Sequence, residues 1–133
     1  MKNLNIIICF TLFVFIYPVS ADDLNFDEAL LNAKTDENKV LKTTHFKSLL
    51  SFYEGFIKET KPFCSKKFKA PSLSSLIVVV KLNQDGSVRK TWSNNDSRFA
   101  KCYEKELSKS SFPRPPYIPY FTFVKQSLPT QIK

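Results

Sequence analysis

Apolar positions change period along this chain, and each change marks an element. Phe46, Leu49, Leu50, Tyr53 and Ile57 recur at three- and four-residue steps, with Phe52 and Phe56 widening the stripe. That spacing predicts one face of a helix, opened by Thr43 or Thr44 as N-cap. Its end is predicted near Thr60, because Pro62 pushes Lys61 out of helical geometry. Residues 61–74 then read as a connector carrying Cys64 and Phe68. Leu76 to Leu82 is a nearly continuous apolar run rich in β-branched residues, which predicts a strand covered on both faces. Asn83-Gln84-Asp85-Gly86 reads as a hairpin turn, with Gly86 supplying a positive φ. Ser87 to Asn94 returns with alternation about Val88, Lys90 and Trp92.

Asn95-Asp96-Ser97 can cap a second helix from Arg98 to Ser110, whose narrow apolar face holds Phe99, Cys102, Tyr103 and Leu107. The prolines of SFPRPP, residues 111–116, forbid helix. A third strand is expected from Tyr117 to Lys125, with Pro119 tolerated near a strand start or on an edge. Residues 22–42 carry one apolar patch, Leu24, Phe26, Leu30 and Leu31, and read as a short helix at most or a loosely held arm. Residues 127–133 are polar and read as a loose tail. The order helix-strand-strand-helix-strand predicts an α+β domain over residues 43–126. Its small three-stranded antiparallel sheet is expected to be covered on one face by helices.

The first 21 residues do not belong to that domain. Lys2, the apolar run Ile6 to Tyr17 and the small residues Val19-Ser20-Ala21 have the anatomy of a secretory signal peptide cleaved after Ala21. A membrane-spanning helix needs about 20 apolar residues, and Pro18 ends this run early. Cleavage leaves 112 residues, one small domain, and lowers the formal charge from +8 to +7. It also removes Cys9, leaving Cys64 and Cys102. In an exported chain that even count suggests a disulfide, the other reading being two buried thiols. A bridge across 38 positions would stabilise the fold by about 4 kcal/mol.

The lysines are scattered and come nearest to a cluster between Lys61 and Lys69. An exported protein meets little nucleic acid, so this charge points to an anionic membrane surface or an acidic partner protein. Catalytic chemistry is not visible. His45 is the only histidine and reads as a surface residue, so a zinc site would need both cysteines. No serine sits in a glycine-flanked elbow. Glu104 and Glu106 fall on opposite sides of their helix, and the two glycines, Gly55 and Gly86, cannot make a phosphate-cradling loop. The expectation is no enzyme, no metal and no cofactor.

"LIVVVKLNQDGSV", then "DSRFAKCYEKELSKSSFPRPP", then an aromatic strand, resemble the C-terminal domain of the TolA/TonB envelope proteins, closest to that of TolA. The likeness spans about residues 46–125. It rests on the Asp-Gly hairpin, the helix with an early cysteine at Cys102, and Phe112-Pro113-Arg114-Pro115-Pro116 before a final strand. In that family the partner cysteine lies on the first strand, near the position of Leu76, whereas here Cys64 lies in the connector. The family's inner-membrane helix and long spacer have no counterpart between the signal peptide and residue 46.

The resemblance implies a stand-alone periplasmic module of a Gram-negative envelope that binds periplasmic or outer-membrane proteins. Tol-system proteins, phage coat proteins and colicin translocation domains are the expected partners. Strand addition at the sheet edge is one mode of such binding. The third strand is expected to present that edge, with Tyr117, Tyr120, Phe121, Thr122, Phe123 and Lys125 as contact residues. The alternative function is an exported cationic factor of immunity type, or one that binds membrane surfaces.

Overall fold

The computed structural model describes residues 23–128; the expected signal peptide and the end of the tail lie outside the described residues. Three helices and three strands follow in the order α1 (Phe26–Val40), α2 (Thr44–Lys67), β1 (Ser75–Leu82), β2 (Val88–Ser93), α3 (Arg98–Ser108) and β3 (Tyr120–Ser127). The sheet is antiparallel and open, in the order β2-β1-β3. The α+β class and the strand count match the sequence reading. Cover on one face does not, because helices lie on both.

On one face, Leu76, Val78, Val80 and Leu82 of β1 join Tyr120 and Val124 of β3. They pack against Leu49 and Phe56 of α2 and against Phe99, Tyr103 and Leu107 of α3. Each fully buried large aliphatic side chain here contributes about 1.5–3 kcal/mol. On the other face, Val79, Trp92 and Phe121 pack against Ala29 and Ala33 of α1. The unbroken apolarity of β1 is thereby explained, since Val79 and Val80 point opposite ways and both are fully buried.

Within the expected arm, residues 26–40 form a 15-residue helix docked on the sheet, longer and more firmly held than expected. Asn25 and Glu28 form a reciprocal capping box that starts α1. The indole Nε1 of Trp92 donates to the carbonyl of Leu24 at 2.7 Å, fixing the helix start to the sheet. Two further expectations give way. First, α2 runs through Pro62 to Lys67. Loss of the Pro62 donor costs about 3 kcal/mol in a helix interior. Here Pro62 and Lys58 are both solvent-facing, so the released carbonyl can be hydrated, while Thr60 and Cys64 on the opposite side are buried. Packing of that side, and the bridge from Cys64, carry the helix onward. Second, β3 extends to Ser127, and Leu128 is buried with its amide on Ser74 O at 3.0 Å, so the tail is held at least that far.

Gly86 closes the hairpin with φ +87°, as the turn reading requires. Its carbonyl accepts from Phe112 N at 2.9 Å, and a Cβ at this position would sit 2.1 Å from Phe112 O. The proline segment thus clasps the hairpin tip, while the Phe112 ring packs 4.2 Å from that of Phe52.

Candidate functional site

The sheet has two end strands, and their outer edges are in different states. Along β3, the amide of Phe121 donates to Asp36 Oδ2 at 2.9 Å and that of Phe123 to Glu37 Oε1 at 3.4 Å. Both amides turn away from β1, so the amide of Thr122 between them faces its partner Val80. Two carboxylates of α1 occupy the places where a further strand would put its carbonyls.

Around these carboxylates the hydroxyls converge. Thr122 Oγ1 donates to Glu37 Oε1 at 2.6 Å, Tyr53 OH donates to the same oxygen at 2.9 Å, and Tyr53 OH also meets Thr122 Oγ1. Burial, then the nearby Glu37 charge, pushes the Tyr53 phenol well above its ordinary range. Tyr117 OH donates to Asp36 Oδ1 at 2.8 Å. Desolvation first, and then the bond to Asp36, push Tyr117 up to about 12. Tyr120 is raised as well, chiefly by burial.

Of the six residues expected to meet a partner, Tyr120, Phe121 and Thr122 are buried and Phe123 is half-buried. Tyr117 and Lys125 are exposed, but Tyr117 precedes the strand. The edge that the third strand was expected to present is covered by α1, the helix that precedes the expected domain. His45 is also not a plain surface residue. Its ring meets that of Tyr120 edge-on at 5.4 Å, its Nε2 is buried without a hydrogen-bond partner, and burial lowers its pKa.

The β2 edge differs. Asn94 N donates to Ile77 O at 3.1 Å, which sets the ladder phase and turns the amides of Thr91 and Ser93 outward. Among the described residues β2 ends the sheet, with no helix carboxylate on those amides. A groove of about 540 Å³ borders it, lined by Thr91, Ser93 and Asn95 and, from α3, by Lys101 and Glu104. Thr91 Oγ1 donates to Glu104 Oε1 at 3.0 Å across that groove. The sequence hinted at this edge only through the short, polar and alternating β2.

Cys64 and Cys102 are bridged, with Cα atoms 5.9 Å apart, joining the end of α2 to α3. Among the described residues no three His, Cys, Asp or Glu side chains gather as a metal site, and no helix is long and apolar enough to cross a membrane. Comparison with known proteins finds no matching family model, curated protein or solved structure.

Proposed function

We propose that this chain is an exported, non-catalytic binding domain of the periplasm, of the TolA/TonB C-terminal type. It holds envelope, phage coat or colicin-type proteins by adding one of their strands to its sheet. The observation that supports this reading is the β2 edge: an end strand of an open antiparallel sheet, with outward amides at Thr91 and Ser93 beside a helix-walled groove. An added strand supplies carbonyls to those amides, and its alternate side chains lie along Lys101 and Glu104 of α3. The β3 edge serves the same purpose only when α1 lifts off, because Asp36 and Glu37 hold its amides.

Proline tests the two edges separately. Thr91→Pro removes an outward donor on β2, and Phe123→Pro removes one on β3, while neither touches an amide that faces β1. Binding of purified Tol-system proteins, a phage coat domain and a colicin translocation domain is measured by calorimetry, with circular dichroism checking the fold. Thr91→Pro is expected to weaken binding by about tenfold or more, equivalent to about 1.4 kcal/mol, with Phe123→Pro near wild type. Loss through Phe123→Pro alone moves the site to β3 and requires α1 to open. Absence of binding to every partner, or binding unmoved by both variants, overturns strand addition.

A further inference from the structure

A second concave surface lies on the opposite side of α3, where the disulfide joins that helix to the end of α2. The groove there encloses about 460 Å³. Its floor is apolar: Phe63, Phe68 and the bridged Cys102. Phe63 keeps 42% of its surface in water, within reach of a ligand in the groove. The walls are basic, made by Lys67 of α2 and by Arg98, Lys101, Lys105 and Lys109 of α3. Lys67 Nζ stands 4.2 Å from the centre of the Phe63 ring. The only carboxylate in the lining, Glu106, is taken by Lys109 at 3.2 Å.

Lys105 and Lys109 suit the C-terminal end of α3, and Lys109 also pairs with Glu106, but the other cations of the row gain nothing from the helix. Lys101, Lys105 and Lys109 follow one another at i,i+4, where like charges destabilise a helix by about 0.2–0.5 kcal/mol per pair. Arg98 occupies the first turn of α3, which has no acidic residue, so it opposes the helix dipole. A row of cations along one helix, over an exposed phenylalanine, matches a ligand with negative charge and one apolar anchor.

We infer that this groove binds an acidic, extended segment of a partner protein that carries one large apolar side chain. The dimensions suit that occupant. Arg98 to Lys109 is eleven residue steps, or about 16 Å at 1.5 Å per step, the length of about five extended residues. The anchor side chain packs on Phe63 and Phe68 while flanking carboxylates meet the lysine row. An anionic membrane is the poorer match, because a flat surface cannot place apolar groups in a concave floor. The inference stands independently of strand addition, since the groove shares only Lys101 with the β2 edge.

The probe is a fluorescently labelled peptide DEFDE, with DEADE and KKFKK as controls and phosphatidylglycerol vesicles as a separate arm. Anisotropy is read on the exported protein with its disulfide intact. DEFDE is expected to bind in a salt-dependent way, with DEADE weaker by about tenfold and KKFKK silent. Lys105→Glu/Lys109→Glu should abolish binding and Phe63→Ser should weaken it several-fold. All three positions are exposed and outside the core, so circular dichroism should be unchanged. Thr91→Pro should leave DEFDE binding intact, which separates this site from the sheet edge. Peptide binding indifferent to both groove variants, or binding to vesicles with none to peptide, overturns the inference.

Discussion

The two sides of the sheet are held by different means. On the α2/α3 side, large aliphatic and aromatic side chains interlock and a disulfide ties the two helices together. On the α1 side, two alanines let a helix lie close to Val79, Trp92 and Phe121, and two carboxylates fasten it to the β3 edge. One side depends on apolar volume and a covalent link. The other depends on close approach and on charge-assisted hydrogen bonds that water can replace. A small domain built this way can keep its core while one helix and one sheet edge open together.

Removing the bridge should have the largest effect. Cys64→Ser/Cys102→Ser is expected to lower unfolding free energy by about 4 kcal/mol, read as a shift of the urea midpoint. The loss should fall on the α2/α3 side: amides in the last turns of α2 should exchange faster, with those of Phe121 and Phe123 still protected at low denaturant. If the carboxylate-held amides exchange first, the two sides are not distinct.

Gly86→Ala comes next. The residue would need a positive φ and its methyl would drive into Phe112 O, so the clasp of the proline segment on the hairpin must shift. A cost of about 1–3 kcal/mol is expected, with the Phe112 ring released from Phe52. An unchanged thermal midpoint would show that the clasp contributes nothing.

Glu37→Gln probes the other side. Glu37 Oε1 receives Tyr53 OH, Thr122 Oγ1 and Phe123 N, and bonds to a charged acceptor are worth about 1.5–3 kcal/mol. The amide oxygen that replaces the carboxylate keeps some of these, so about 1 kcal/mol or more should be lost, mostly locally. Hydrogen exchange at Phe121 and Phe123 should quicken while Val79 and Val80 stay slow. Equal acceleration throughout the sheet would mean that α1 does not open as a unit.

This contrast also accounts for what the sequence reveals. β1, β2, α2 and α3 are written in local signals: period, the Asp85-Gly86 turn, Ser97 as a cap. The docking of α1 is not local. Of its apolar patch, Leu24, Phe26 and Leu30 pack against the sheet only in part and Leu31 is 66% exposed, while Ala29 and Ala33 are fully buried. Small residues allow close packing but carry little hydrophobic signal. Asp36 reaches Phe121 across 85 positions, which no window can anticipate. Asn25 and Glu28, at capping-box spacing, were the one local sign that a helix starts there. On α3 the same limit applies: its lysines are scattered along the sequence, and only the fold sets Phe63 beside them.

The smallest effect comes from Tyr117, and its sign follows from proton binding. Its phenol ionises at about 12 in the fold against 10.0 when unfolded, so the folded state holds the proton more tightly. Its contribution is whole below pH 10 and disappears as the pH rises toward 12. In that window tyrosinate appears beside the Asp36 carboxylate, and repulsion replaces the hydrogen bond that ties the segment before β3 to α1. Tyr53 and Tyr120 are raised too, so the fold as a whole weakens with alkali, and Tyr117 must be isolated by difference. Trp92 is the only tryptophan and touches both α1 and Phe121, so its fluorescence reports on this side. Tyr117→Phe should cost well under 1 kcal/mol at neutral pH, because the ring is partly exposed and water screens the pair. It should also flatten the alkaline change in Trp92 emission relative to wild type. Identical alkaline profiles for the two proteins would remove Tyr117 from the fastening of α1 and leave Asp36 and Glu37 to hold the edge through the Phe121 and Phe123 amides.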